Sequence, residues 1–398
     1  MRVQRLTLKN FRNLDHLQLS PEENITFIVG KNGEGKTSVL EALGVLSSLR
    51  SFRGNKIEDT LKNNHSFSEI VCVLDDGLKT ELKVVLKKEN SRTFKNAFIN
   101  GKLISKGSQY LQKRFGDMEI GFHCIVFNPS DHELIRGEPS HRRDYIDRVI
   151  SAQSTEYLEC LTKYYRSLEQ RNRLLKQEIP IDEGVLSGFT QSLVELGSKI
   201  IQMRMMWINK TTQNMNLILQ EIIPLKPEIQ MTYVSKIFEK NTFRNEEKSN
   251  DNARHFSGQS EAPSIDFFKE CLWQTSRRLG TAERAAKVTL FGPHRDDWEI
   301  SFHGASLKSV GSQGEVRAVL IALKLSEIEN FRVATGHRPV LLLDDFSSEL
   351  DQERRQYLLN YLQKTDLQVF VTTTEEPRFL NSFFWLSDGV IKKQESQN

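Results

Sequence analysis

No stretch of this chain narrows the possible folds more than Gly30-Lys-Asn-Gly-Glu-Gly-Lys36-Thr37. It satisfies G-x-x-x-x-G-K-[ST] without a mismatch, and it sits between an apolar, strand-like run (Ile25-Thr-Phe-Ile-Val29) and a helical pattern carrying Val39, Leu40, Leu43 and Leu46 on one face. Such a loop needs glycine because the backbone must wrap closely around phosphates and adopt φ > 0 at little cost. Its N–H groups and the start of the following helix then point at an anion. The pattern makes Gly30, Lys31, Asn32, Gly33, Glu34, Gly35, Lys36, Thr37 and Ser38 the expected nucleotide contacts. Lys36 is placed to reach the β- and γ-phosphates of ATP, and the Thr37 hydroxyl to ligate Mg²⁺.

A second half-site lies far downstream. Val340-Leu-Leu-Leu343 reads as a buried strand that ends in Asp344 and Asp345. A carboxylate at such a strand end can hold Mg²⁺, the role expected of Asp344, and the next acid, Asp345, falls where a general base orients the attacking water. About 30 residues earlier, Ser312-Gln-Gly-Glu-Val-Arg317 precedes a helix bearing Ala318, Leu320, Ile321 and Leu323. Here the chain resembles the signature motif of ABC and SMC-like ATPases, and Ser347-Ser-Glu-Leu-Asp351 resembles their D-loop. The resemblance implies that Ser312, Gln313 and Gly314 contact the γ-phosphate bound on another subunit. A serine before a helix is a routine N-cap. The order of the four motifs is what gives the resemblance its weight.

Thr37 and Ser312 are separated by most of the chain, so an ATPase head has to be assembled from both ends. The expected fold is α/β, an ABC/SMC-like P-loop head with an inserted helical-hairpin second lobe. Residues 1–150 form its N-terminal part, with alternating patterns over 69–103 that read as antiparallel strands. Residues 151–280 form the insert: Tyr157, Leu161, Tyr164, Leu168 and Leu175, then Phe189, Leu193, Leu196, Ile200, Met203 and Trp207, recur at helical spacing either side of a break at 180–184. Within it, residues 240–263 are polar and aperiodic and read as an exposed loop. Residues 281–398 complete the head, with a further strand expected at 367–371. An insert this short separates the chain from SMC proteins with long coiled coils.

Composition excludes some classes and leaves others open. Four scattered cysteines without a C-x-x-C pair argue against a zinc ribbon or a disulfide framework. The first ten residues lack an apolar secretory core, and no run approaches the ~18 apolar residues of a membrane helix. A cytoplasmic protein without a membrane partner is expected. Lys plus Arg number 55 against 52 for Asp plus Glu, a balance that permits nucleic acid without demanding it.

Further segments narrow the resemblance to the RecF family, nearly end to end. They are Leu8-Lys-Asn-Phe-Arg12-Asn-Leu, Arg50-Ser-Phe-Arg53, Val126-Phe-Asn-Pro129-Ser-Asp with Arg142, Arg143 and Asp147 downstream, and Gly292-Pro-His-Arg-Asp-Asp297. The resemblance implies that Arg12 lies near the nucleotide. It implies a weak, DNA-stimulated ATPase that forms an ATP-dependent homodimer and binds single-stranded, gapped or junctional DNA. With RecR and RecO it would assist RecA loading in repair, replication restart and SOS induction. Ser130 stands where relatives often carry Glu, and Glu315 where Gln is usual. Threonines (Val371-Thr-Thr-Thr374) occupy the place of the switch histidine of transporter ATPases, which implies slow hydrolysis. Arg142, Arg143, Arg166, Arg171 and Arg173 are candidate DNA contacts, with solvated basic faces as the alternative. For His294 and Arg295 the options are the dimer interface or packing within a polar turn.

Overall fold

The computed structural model describes residues 2–54, 56–75, 77, 79–89, 92–112, 121–177, 182–222, 228–238, 255–257, 263–345, 352–376 and 382–395. The chain divides into two compact units, Met1–Asp131 with Glu327–Asn398, and His132–Ser326. Both ends of the chain thus contribute to one unit.

In chain order, the first unit begins with β1 (Arg2–Phe11), β2 (Leu14–Leu19), β3 (Ile25–Val29), α1 (Lys36–Ser48), β4 (Phe67–Asp75), β5 (Thr80–Glu89), β6 (Arg92–Ile99), β7 (Lys102–Ile104), α2 (Gly107–Gln112) and β8 (Cys124–Phe127). The second holds α3 (Glu133–Arg136), α4 (Pro139–Gln153), α5 (Thr155–Leu175), α6 (Glu183–Ile222), β9 (Ile229–Val234), β10 (His255–Ser257), α7 (Ile265–Ala286), β11 (Asp297–Phe302), β12 (Ala305–Ser306), α8 (Leu307–Val310) and most of α9 (Gln313–Thr335). The chain then returns to the first unit with β13 (Val340–Leu343), α10 (Gln352–Lys364), β14 (Val369–Thr373), β15 (Ser382–Ser387) and β16 (Val390–Glu395). The seams fall at 131/132 and at 326/327, the second within α9.

Two six-stranded sheets build the first unit. One, ordered β2-β1-β4-β5-β6-β7, is antiparallel. Its alternating sequence buries Ile70, Cys72, Val84, Ala97 and Ile99 on one face and leaves the other more open and mixed, with Lys83, Lys87, Phe94 and Phe98 on it. The other sheet, ordered β16-β15-β3-β14-β13-β8, is parallel from β15 through to β8 and antiparallel only at β16. Its central strands are continuously apolar, as strands covered on both faces must be. Helix α1 shares a single core with residues of both sheets, through Val39, Leu40, Leu43 and Leu46. Register aligns the strand ends: Val29 pairs with Thr373, and Leu343 with both Val371 and Phe127. The loops leaving β3, β13 and β14 therefore emerge together at the carboxyl edge, where open parallel sheets hold ligands.

The second unit pairs α5 with the 40-residue α6 as the expected hairpin, adds α7, and includes a four-stranded sheet ordered β10-β9-β11-β12. Of the polar stretch 240–263, His255–Ser257 is a strand paired with β9, not loop, while residues 240–254 and 258–262 lie outside the described residues. The D-loop candidate Ser347–Asp351 also lies outside them.

The hexapeptide 292–297 holds this unit together. Gly292 has φ 106°, and a Cβ there would come within 2.4 Å of the Tyr164 hydroxyl, so only glycine fits. Asp296 accepts from Tyr233 (2.8 Å) and Ser235 (2.5 Å), and Asp297 takes a two-pronged ion pair from Arg142 at 2.7 and 2.8 Å. Arg204, 1% exposed, donates to Asp147 (2.7 Å) and to the Pro293 carbonyl (2.7 Å). Arg171 pairs with Glu283 at 2.7 Å with both side chains buried. Arg142 and Arg171 are therefore not available to a DNA backbone: both guanidiniums are buried and each is held by a carboxylate, the half-buried Asp297 and the fully buried Glu283. Arg173 is engaged with Glu169 one helical turn away, whereas Arg166 is exposed. His294 sits 2.7 Å from the Tyr164 hydroxyl, and burial pushes its imidazole down to about 4, so it is a neutral packing group of the turn.

Candidate nucleotide site

The carboxyl edge of the parallel sheet opens into a cavity of about 820 Å³, lined among others by Arg12, Asn13, Asn32, Gly33, Gly35, Lys36, Thr37, Ser38, Arg53, Asp344, Asp345 and Thr372. The loop that the sequence singled out forms one wall. Gly33 and Gly35 have φ of 89° and 102°, the left-handed conformations for which the motif reserves glycine. At Gly30 a Cβ would meet the Leu386 carbonyl at 2.4 Å, so the loop could not leave β3 with any side chain there. Lys36 opens α1, and its ammonium donates to the carbonyls of Gly30 (2.7 Å) and Lys31 (2.8 Å), which fixes it across the loop. Burial pushes that ammonium below its usual range, opposed by the nearby Asp345 and Asp344 carboxylates.

Thr37 and Asp344 stand 307 residues apart in sequence and meet in space: the Thr37 hydroxyl donates to Asp344 Oδ1 at 2.9 Å. The Thr372 hydroxyl donates to the same oxygen at 2.7 Å and accepts the Asp345 N–H at 2.9 Å. Burial pushes the Asp344 carboxyl above the ordinary carboxylate range, and the two threonine hydroxyls oppose this. Asp345 has φ 52°, a left-handed turn at the strand end that aspartate tolerates better than most residues. A divalent cation fits this donor set. A buried carboxylate and a threonine hydroxyl converge beside a phosphate loop, and no cluster of three or more His, Cys, Asp or Glu competes for a metal among the described residues. Mg²⁺ prefers such sparse protein ligation, completed by phosphate and water.

Three residues have positioning roles that the sequence reading did not assign. Glu41, wholly buried in α1, grips Arg12 through two hydrogen bonds (2.6 and 2.8 Å) and lies 3.6 Å from Arg53, so one carboxylate aims two cations at the cavity. Asn13 donates to the Gly33 carbonyl (3.0 Å) and accepts from Ser38 (3.2 Å), tying the loop to the β1–β2 turn. Thr372 is the third. A lone acid inside an otherwise apolar helix was a usable signal for Glu41; Asn13 and Thr372 have no spacing signature.

We expect Thr372→Val, which keeps shape and removes the hydroxyl, to raise the Mg²⁺ concentration needed for half-maximal nucleotide hydrolysis by roughly 10-fold, the usual cost of losing a group that orients a metal ligand. An unchanged Mg²⁺ titration would remove Thr372 from the site.

Ser312, Gln313 and Gly314 belong to the other unit. There they open α9 as a capping box: the Ser312 hydroxyl accepts the Glu315 N–H (3.2 Å), and Glu315 accepts the Ser312 N–H (2.8 Å). The Glu315 carboxyl is held below its usual range by those Ser312 hydrogen bonds. Glutamate instead of glutamine thus suits the cap. Ser312 and Gln313 remain exposed. Glu34 accepts the Asp388 N–H at 2.6 Å and so braces the loop from β15's turn. All four cysteines are free and buried, and no described helix is long and apolar enough to cross a membrane.

Comparison with known proteins agrees with this geometry. The family model of the RecF/RecN/SMC N-terminal domain matches residues 2–395. The DNA replication and repair protein RecF of Geotalea uraniireducens is 31% identical over 375 residues, covering 94% of this chain and 93% of its own length. That of Thermoanaerobacter pseudethanolicus is 32% identical over 403 residues, covering 99% and 100%. Among solved structures, the recombination mediator RecF with ATP, of the RecFOR pathway, superposes with a TM-score of 0.85 at 29% identity, over 99% of this chain and 97% of that one. An SMC head bound to the ScpA winged-helix domain matches at 0.53 and 14% identity, a likeness of fold alone.

Proposed function

From the premise that this chain belongs to the RecF/RecN/SMC N-terminal domain family, we propose that it is an ATP-dependent, DNA-binding recombination mediator whose nucleotide state controls its assembly. The observation that carries the reading is the meeting of Thr37 and Asp344 at 2.9 Å beside Lys36, at the aligned ends of parallel strands. Lys36 neutralises the β- and γ-phosphates, Arg12 and Arg53, which also line the cavity, add cations, and the loop N–H groups wrap the anion. Thr37 and Asp344 would hold Mg²⁺, which supplies charge neutralisation at the phosphates when bound. Asp345 orients the attacking water.

Ser312, Gln313 and Gly314 meet the γ-phosphate of a second copy, through the exposed N-terminus of α9. ATP binding energy then stabilises a homodimer, and hydrolysis removes it. Threonines at 372–374 in place of a switch histidine make that hydrolysis slow, so the ATPase acts as a timer on a DNA clamp. The relatives' names, DNA replication and repair protein and recombination mediator of the RecFOR pathway, support action on DNA in repair and recombination. Gapped or single-stranded DNA as the target, RecR and RecO as partners and RecA loading in the cytoplasm as the outcome are part of the same proposal.

Turnover of ATP measured with and without a gapped duplex tests the reading. The expected result is slow hydrolysis that rises several-fold with DNA. Fast turnover indifferent to DNA would point to an enzyme of another kind.

A further inference from the structure

The outer face of the antiparallel sheet carries a feature that the nucleotide site does not use. From Lys79 to Lys106 the sequence holds eight Lys or Arg against Glu81 and Glu89 alone. That segment nets +6 in a chain that nets +3, so the remainder is acidic overall. The segment folds into β5, β6 and β7, at one edge of the sheet.

Register places aromatic and basic side chains side by side there. Phe98 pairs with Lys83 across β5–β6, and Phe94 pairs with Lys87 four residues further along. The Lys83 ammonium lies 5.8 Å from the centre of the Phe98 ring. Leu103 of β7 flanks Phe98 on its other side. Phe94 is 49% exposed and Leu103 51%, although the opposite face of the same strands is packed into the core. The two Phe–Lys pairs repeat at about 13 Å, four residues of strand. An exposed ring that needs no polar partner, set beside the exposed Lys87, suits a ligand with a flat apolar face and an anionic backbone.

We propose that this edge, β5–β6–β7, is a binding platform for single-stranded DNA, on which bases stack against Phe94 and Phe98 while Lys83, Lys87 and neighbouring cations follow the phosphates. A duplex, whose bases are stacked on each other, offers only the phosphates. The assignment rests on the DNA-binding function proposed above and adds to it a surface and a strand form. Lys83 also pairs with Glu69 at 2.5 Å, so Lys87, exposed on the same face, is the better probe of charge.

The test is fluorescence anisotropy with a labelled oligothymidylate of roughly 20 nucleotides, longer than single-strand sites of about 4–16, and with a blunt duplex of equal length. Phe94→Ala is expected to weaken oligothymidylate binding by about 10-fold without changing its salt dependence. Lys87→Glu is expected to weaken it by a similar factor and to flatten the log–log salt slope by roughly 0.7 for each phosphate that is no longer neutralised. Neither variant should change ATP affinity by more than about twofold; Phe94→Ala should leave duplex binding within the same range, whereas Lys87→Glu should weaken duplex binding as well. Wild-type oligothymidylate binding in both variants overturns the platform, leaves the DNA-binding function standing, and assigns the lysines to guarding an edge strand against pairing. Equal losses on single strand and duplex in Phe94→Ala overturn the stacking role. A wild-type protein that binds neither DNA instead defeats the function on which the platform rests.

Discussion

Lys36→Ala is expected to abolish ATP-dependent assembly and to weaken ATP binding by on the order of 100-fold or more, since removing one partner of a desolvated charge pair costs about 2–5 kcal/mol. The geometry explains the size of the effect. Lys36 is held at 9% exposure by the carbonyls of Gly30 and Lys31, so its charge sits where phosphate must enter and cannot be replaced by a neighbour on the loop. Arg12 and Arg53 remain, but both are committed to Glu41. Titration with a fluorescent ATP analogue reads the affinity, and thermal unfolding without nucleotide checks that the loop still folds. ATP affinity or ATP-dependent assembly equal to wild type would contradict the role given to Lys36.

Asp345→Asn should separate binding from hydrolysis. The residue lies at φ 52°, and asparagine is among the few residues as content there as aspartate, so the turn after β13 survives the change. Its N–H stays bonded to the Thr372 hydroxyl, which is independent of the side chain. What disappears is a carboxylate able to take a proton from water. General-base removal typically costs about 10²–10⁴-fold in rate. Single-turnover hydrolysis should fall by that order while ATP affinity is retained, trapping the ATP-bound assembly. Wild-type turnover in the variant would take Asp345 out of the chemistry.

Much of the head was legible in the sequence because its chemistry dictates residue types at fixed spacing. Glycines at 33 and 35 are required by backbone angles, Lys36 and Thr37 by the phosphates and their metal, and Val340–Asp344 by a strand that must be buried along its length and charged at its end. Pairing of β3 with β14 and of β13 with β8, which aligns those ends, is not written in any local pattern. Positioning residues were hidden for a related reason. Asn13 and Thr372 act through hydrogen bonds to residues distant in the chain, and single polar residues carry no periodicity.

The arginines show the opposite error. Arg142 and Arg171 look like a basic face in one dimension, yet each is buried against a carboxylate more than 100 residues away. Conversely, the Phe–Lys pairs of β5 and β6 become visible only once strand register sets Phe94 opposite Lys87.

In the proposed assembly, ATP joins two copies through the Ser312 end of α9. Ser312 and Gln313 are exposed in the single chain, so a bulky cation at 312 should leave the fold intact and spoil the contact. Sedimentation velocity of the wild type and of Ser312→Arg, each with and without ATP, tests this most directly. The account predicts a monomer that becomes a dimer with ATP in the wild type only, with ATP binding preserved in the variant. A variant that dimerises on ATP as the wild type does, or a wild type that binds ATP and stays monomeric, would contradict it.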